Sequence, residues 1–203
     1  HSIIQDQVQK DFIEQIPNDD TAVGHYIPHH GIAKESSTTP LRIVYDCSCS
    51  TRNAPSLNDC LESGTALVND LVAILLRFRT HDIVFTSDIE KAFLNVRLPE
   101  ADRNFTKFLW LSDPRNPRSD FLAYRFKSVL FGSTSSPFML NAVLKTHLAK
   151  YKSTAAQNIQ NNIYVDNLVT GVSTSSDQLD CTQKAINFYR EANTILHDAG
   201  FNL

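Results

Sequence analysis

Apolar and polar positions alternate in some stretches of this chain and recur at helical spacing in others, and the changes of period mark out its elements. Residues 1–24 are polar, with Ile3, Ile4, Val8, Phe12, Ile13 and Ile16 spaced for a short helix before Pro17 and a turn at Asn18-Asp19-Asp20. Gly24 to Ile32 reads as extended, with Pro28 marking an edge. Leu41 to Asp46 alternates as a strand that can return beside it as a hairpin, across the polar loop Glu35 to Pro40. Thr51 to Gly64, rich in Ser, Asn, Asp and Pro, is loop-like. Leu67, Leu71, Ile74, Leu75 and Phe78 then predict a helix over 65–78 that packs on the core.

Ile83 to Thr86 is a short buried strand that delivers Ser87-Asp88, and Ile89 to Leu94 turns compactly. Phe105 to Leu111 and Phe121 to Phe126 read as strands around an exposed loop of Asp, Pro, Arg and Ser. Phe131 to Pro137 opens a helix, with Ser136 as its cap, Pro137 in its first turn and an apolar stripe of Leu140, Val143, Leu144, Leu148 and Tyr151. Ile163-Tyr164-Val165 and Leu168 to Val172 are two β-prone runs separated by Asp166-Asn167, which reads as a tight hairpin with an acid on its tip. A last helix starts at Ser176-Asp177, carries Leu179, Ile186, Tyr189, Asn193 and Leu196 on one side, and ends at Gly200. Strand, excursion, helix, hairpin, helix is a split β-α-β-β-α order, so the expected class is α+β, an antiparallel sheet backed by two helices. That topology brings Asp88 to the tip bearing Asp166.

Composition narrows the picture. The 203 residues allow one large domain or two small ones. A hydrophobic share of 42% with 20% charged is ordinary for a globular protein, and no apolar run approaches a membrane span, so no membrane partner is expected. The chain opens on His1 without a signal pattern and reads as a piece of a longer polypeptide. A net charge of −3 advertises no global basic field, although Arg77 and Arg79, Arg97 and Arg103, Arg115 and Arg118, and Arg125 and Lys127 form local clusters. Cys47, Cys49, Cys60 and Cys181 are too few for a disulfide framework, and Cys47-x-Cys49 with His29 and His30 lacks the spacing of common structural zinc sites, so no zinc is expected.

Two carboxylates on neighbouring strand ends suit Mg²⁺, which takes hard oxygen ligands from one or two carboxylates and completes its shell with water and phosphate. Two such ions about 3.5–4 Å apart can activate a 3′-hydroxyl and stabilise a leaving pyrophosphate. By itself the pair reads equally well as two surface or capping aspartates.

Four segments, in order, resolve that choice. Tyr26-Ile27-Pro28-His29-His30-Gly31 with Leu41-Arg42-Ile43-Val44-Tyr45-Asp46, then Phe85-Thr86-Ser87-Asp88-Ile89-Glu90-Lys91-Ala92-Phe93, then Leu130-Phe131-Gly132-Ser133-Thr134-Ser135-Ser136-Pro137-Phe138, and finally Tyr164-Val165-Asp166-Asn167 resemble the reverse transcriptase of LTR retrotransposons, most closely the BEL/Pao group. The resemblance covers roughly residues 25 to 203. It implies a polymerase palm of ferredoxin-like type at 65–95 and 136–203, with fingers at 1–64 and 96–135 and with thumb and RNase H outside the chain. The implied activity is RNA-directed DNA synthesis from dNTPs on an RNA or DNA template-primer, with two Mg²⁺ ions or Mn²⁺ as cofactors. Implied partners also include the rest of a retroelement polyprotein, in a cytoplasmic virus-like particle.

Residue by residue, the resemblance makes Asp88, Asp166 and Asn167 the catalytic set, with the Ile89 carbonyl as a further metal ligand beside Asp88 and Asp166. It makes Arg42 and Lys34 contacts to the triphosphate, Phe93 the ring that blocks a ribose 2′-hydroxyl, and Phe131 and Gly132 contacts to the incoming nucleotide. Gly132 also has a reason of its own, since a residue without a side chain lets backbone approach a ligand. The departure is Asn167, which stands where the Tyr-x-Asp-Asp box has a second acid and which brings no charge to a metal. A template-primer-binding pseudo-polymerase, or another palm-type enzyme such as a nucleotide cyclase, are the alternatives; the fingers signature speaks against the cyclase.

Overall fold

The structure, a computed structural model, describes residues 1–17, 23–33, 35, 41–173 and 181–203. In chain order its elements are α1 (Ser2–Gln9), β1 (Ile13–Ile16), β2 (His29–Ala33), β3 (Leu41–Tyr45), α2 (Leu71–Phe78), β4 (Ile83–Asp88) and α3 (Glu100–Arg103). Then follow β5 (Lys107–Leu111), β6 (Phe121–Phe126), α4 (Ser136–Leu148), α5 (Thr154–Asn162), β7 (Ile163–Tyr164), β8 (Asn167–Val172) and α6 (Cys181–His197). The chain is therefore a mixed helix-and-sheet protein, and its strand ladders are antiparallel. It divides into two compact units, His1–Ser63 with Phe93–Ser136, and Gly64–Ala92 with Pro137–Leu203.

The first unit holds the sheet β1-β6-β5 and the separate hairpin β2-β3, in which His29 faces Tyr45 and Ala33 faces Leu41. Its core gathers Ile4, Ile13, Ile27, Tyr45, Leu57, Phe108, Tyr124, Phe126 and Leu130. Aromatic edges set the packing: Tyr45 meets Phe108 at 5.0 Å and Phe126 at 4.8 Å between ring centres, both near-perpendicular, the arrangement that ring quadrupoles favour. The helix expected up to Pro17 is corrected here. It stops at Gln9, and Ile13–Ile16 is instead a strand paired with β6, Ile13 opposite Phe126. Asp11 causes the break. Its backbone is left-handed (φ 60°), and its carboxylate accepts from Lys127 Nζ at 2.6 Å while Arg97 bonds its carboxylate and its carbonyl. A tertiary ion-pair clasp overrides the helical spacing of the apolar positions. The regular strand of the extended segment expected from Gly24 is β2, and ahead of it Tyr26 bridges Lys107, with Ile27 N–H donating to the Lys107 carbonyl at 2.7 Å.

The second unit is built on the sheet β4-β8-β7. The helix expected over 65–78 begins only at Leu71, because the Asp70 side chain accepts from Val72 N–H at 2.9 Å and caps it there. On α4, Leu140, Leu144 and Leu148 of the expected stripe are buried, whereas Val143 is exposed and Tyr151 lies beyond the helix end. Ser136 does not cap it; the helix already includes Ser136, whose hydroxyl donates to the Leu130 carbonyl at 2.7 Å. Helix α5 has no counterpart in the sequence reading. Ser153 caps it, and it buries Ala155, Ala156, Ile159 and Asn162, too small and too polar a face to register as an apolar stripe. The start expected for the last helix, Ser176-Asp177 and Leu179, lies outside the described residues, as does the turn at Asn18-Asp19-Asp20. Helix α6 buries Ala192, Ile195 and Leu196, while Ile186 and Tyr189 of the expected stripe are exposed. It ends as expected at Gly200 (φ 79°), with Phe201 N–H bonded to the Leu196 carbonyl and Gly200 N–H to that of His197, a Schellman closure.

Candidate active site

Asp88 is the last residue of β4, and the ladder with β8 sets it directly opposite Asn167. Cross-strand partners share a face of the sheet, and on β4 that face, through Val84, Thr86 and Asp88, is the exposed one. The hairpin tip differs by one residue from the sequence reading. Tyr164 pairs with Asn167, so the turn residues are Val165 and Asp166, and Asn167 already belongs to β8. Val165 carries the turn in a left-handed conformation (φ 57°), an unusual place for a β-branched residue. Just beyond Asp88, the Ile89 N–H donates to the Asp166 carbonyl at 2.8 Å, which ties the end of β4 to the tip.

The hairpin tip thus brings Asp166 to the end of β4, and its charge acts on Asp88. Burial, and after it the negative charge of Asp166, raises the Asp88 carboxyl above its ordinary value of 3.8. The Asn167 carboxamide donates to Asp166 Oδ1 at 2.9 Å, so it holds that carboxylate rather than adding a charge. Two carboxylates that bear on each other's surroundings leave negative charge that a divalent cation would relieve, and oxygen donors of this kind suit Mg²⁺ or Mn²⁺. Among the described residues no group of three or more His, Cys, Asp or Glu side chains is placed around a common metal position. A cation here would complete its shell with backbone, water or substrate oxygens.

The hairpin is held from behind by polar contacts that the sequence reading missed. Asn69 Nδ2 donates to the carbonyls of Gln160 at 2.8 Å and Ile163 at 2.9 Å, fixing the passage from α5 into β7. Arg77 Nε donates to Asn162 Oδ1 at 2.9 Å, and Thr170 Oγ1 donates to Asn158 Oδ1 at 2.6 Å. The Glu90 N–H donates to the Asn202 carbonyl at 2.9 Å, pinning the backbone two residues past Asp88. Asn69 falls inside the helix expected over 65–78, where a single asparagine carries no signal of a tertiary bond.

The first unit carries the other candidates. Arg42 lies on β3 opposite Ile32; it is exposed and forms no ion pair among the described residues. Lys34 lies outside the described residues. Phe93 is only 7% exposed and Phe131 is 75% exposed, with their rings edge to face at 5.5 Å. Gly132 is left-handed (φ 102°), and a Cβ there would stand 3.1 Å from the Tyr45 carbonyl, so both conformation and space call for glycine. Cys47 is buried, with its thiol pushed up to about 11 by burial and then by Asp46, whereas Cys49 and Cys60 are exposed. No helix of the described residues is long and apolar enough to cross a membrane.

The family model described as "Reverse transcriptase (RNA-dependent DNA polymerase)" matches residues 19–199. No curated protein matches the chain. With nearly its whole length inside the match, the chain belongs to the reverse transcriptase family.

Proposed function

We propose that this member of the reverse transcriptase family is the fingers-and-palm part of an RNA-directed DNA polymerase of the BEL/Pao group of LTR retroelements. It would add deoxynucleotides to a primer 3′-hydroxyl on an RNA or DNA template, within a retroelement polyprotein packaged in cytoplasmic particles. Fingers would occupy residues 1–64 and 96–135 and a ferredoxin-like palm 65–95 and 136–203; the compact units, which change at Ser63/Gly64, Ala92/Phe93 and Ser136/Pro137, suit that division. The observation that carries the proposal is the adjacency of Asp88 and Asp166, with Ile89 N–H bonded to the Asp166 carbonyl and Asp166 raising the Asp88 carboxyl.

Asp88 and Asp166, with the Ile89 carbonyl, would hold two Mg²⁺ or Mn²⁺ ions. When bound, such ions activate the primer hydroxyl and offset the charge of the leaving pyrophosphate. Asn167 orients the Asp166 carboxylate through its amide. Arg42, with its planar fork, and Lys34 contact the triphosphate. Phe93 excludes the ribose 2′-hydroxyl, the Gly132 backbone approaches the nucleotide, and Phe131 offers its open ring to sugar or base.

A second reading rests on one observation. The Asn167 amide is engaged with Asp166 and contributes no anionic oxygen, which suits a copy that binds template-primer but extends it poorly. Primer extension with Mg²⁺ and with Mn²⁺ by the wild type, Asp166→Ala and Asn167→Asp separates the two. Extension by the wild type that is lost in Asp166→Ala supports the polymerase. No extension by the wild type, rescued in Asn167→Asp, supports the weakened copy, and extension that survives Asp166→Ala sinks the catalytic assignment.

A further inference from the structure

We propose that Asn58 is a positioning residue for the Phe131–Ser135 loop and thereby sets how tightly the chain holds an incoming nucleotide. The inference rests on the reading above of Phe131 and Gly132 as nucleotide contacts and deepens it, since it names what keeps them in place.

Past the bridge between Ser128 and Arg97, the Phe131–Ser135 loop lies in no strand among the described residues, yet it presents a left-handed glycine and an exposed aromatic ring. The Asn58 carboxamide supplies the missing pairing. Its Nδ2 donates to the Gly132 carbonyl at 3.0 Å, and its Oδ1 accepts from the Thr134 N–H at 2.9 Å. One side chain thus offers the loop a donor and an acceptor together, as a neighbouring strand would. The brace is itself anchored. Asn58 N–H donates to the Cys47 carbonyl at 2.9 Å, and Nδ2 also reaches Ser48 Oγ at 2.8 Å. The Tyr45 carbonyl also crowds the loop, 3.1 Å from where a Gly132 Cβ would be. Inside it Ser133 and Ser135 share a hydroxyl hydrogen bond at 3.0 Å.

The chemistry is specific to asparagine. Aspartate keeps the acceptor for Thr134 but turns a carboxylate toward the Gly132 carbonyl, and alanine removes both bonds. Glutamine carries the same amide one methylene too far. Losing the brace frees Phe131, whose ring otherwise leans on Phe93, and lets the Gly132 peptide rotate.

The test uses the whole chain and two readouts. Hydrogen exchange of the ligand-free protein reports the brace: in Asn58→Ala the Thr134 amide is expected to exchange at least about tenfold faster, and in Asn58→Asp to stay protected. Retention of a dNTP on a dideoxy-terminated template-primer reports the nucleotide: both variants are expected to weaken it about tenfold while apparent kcat at saturating dNTP stays within about twofold. Should Asn58→Ala melt too low to assay, Asn58→Asp carries the nucleotide test. Unchanged exchange at Thr134 in Asn58→Ala, or loosened exchange with unchanged dNTP retention, overturns the proposal. Phe93→Val marks which reading has failed. If it admits ribonucleotides while Asn58→Ala and Asn58→Asp retain dNTP like the wild type, only the Asn58 inference falls. If the wild type retains no dNTP, the polymerase reading falls and takes the inference with it.

Discussion

Asn167 stands directly opposite Asp88 across the β4-β8 ladder and donates its amide to the neighbouring Asp166. Asn167 is therefore on the same face of the sheet as Asp88. On the reading proposed above, an acid there would add a third carboxylate beside the ion that Asp88 and Asp166 would hold.

Asn167→Asp should accordingly tighten divalent-metal binding, on the order of tenfold, since affinity at oxygen sites follows the charge count of the ligands. Mg²⁺ titrations of the wild type and the variant, read by calorimetry without nucleotide, would measure it. Equal affinities would mean that the side chain at 167 does not reach the ion.

The raised Asp88 carboxyl sets a pH dependence. Burial is the larger cause and Asp166 the second, so Asp166→Asn should lower the Asp88 value without bringing it all the way to 3.8. Carboxyl NMR of the metal-free protein would follow both titrations. The sign is that of a folded-state value above the unfolded one. Protonated Asp88 favours the folded chain, a contribution present at low pH and lost as pH rises through the raised value. Metal affinity runs the other way and should fail as pH drops through it. An Asp88 titration that ignores Asp166→Asn would separate the two acids.

How far this was legible beforehand follows from what each residue signals. The mixed class, the β2-β3 pairing, the presence of β4, β6 and much of the buried face of α4 were readable because apolar spacing decided them, but β4 is not the buried strand expected, since Val84 and Thr86 are exposed. The adjacency of Asp88 and Asp166 was readable only through hairpin order and motif. Three features were not. Ile13–Ile16 looked helical until the Asp11 clasp with Lys127 and Arg97 is seen, a contact between residues over a hundred positions apart in one case. Helix α5 buries Ala155, Ala156, Asn162 and a single large apolar residue, Ile159, which makes no repeating apolar pattern. The turn slipped by one residue because Asp-Asn is a far better turn pair than Val-Asp, and the ladder with β4 overrode that preference by drawing Asn167 into β8.

Two phenylalanines of the first unit should respond unequally to truncation. Phe108 is fully buried among Tyr45, Tyr124 and Phe126, and Phe108→Ala should cost about 4 kcal/mol from lost transfer energy and the cavity left behind. Phe131 is 75% exposed, so Phe131→Ala should cost under about 1 kcal/mol, most of it the edge contact with Phe93. Denaturant unfolding of both variants measures the difference. Nucleotide binding should fall in Phe131→Ala despite its near-normal stability.

Thiol chemistry tests the first unit at a third point. Cys47 is buried with its thiol raised to about 11, whereas Cys49 and Cys60 are exposed. At pH 8 the native chain should react rapidly at Cys49 and Cys60, while Cys47 lags until the chain is unfolded, because the thiolate is the reactive form. Peptide mapping after timed alkylation would show the order, and early labelling of Cys47 would mean that the β3 end opens readily.

Asn69 gives the sharpest mutational test of how the acid-bearing hairpin is held. Its two donated bonds go to the Gln160 and Ile163 carbonyls, at the point where α5 gives way to β7. Asn69→Ala leaves both carbonyls without this donor and should destabilise the second unit by about 2 kcal/mol. Asn69→Asp should be at least as harmful, since a carboxylate meets the same two carbonyls with no hydrogen to give. If the clamp also sets the placement of Asp166, Asn69→Ala should move the Asp88 titration toward 3.8 by loosening the charge beside it. Thermal melts and the same carboxyl NMR decide between a purely structural clamp, which shifts only the melt, and one that positions the acid, which shifts both.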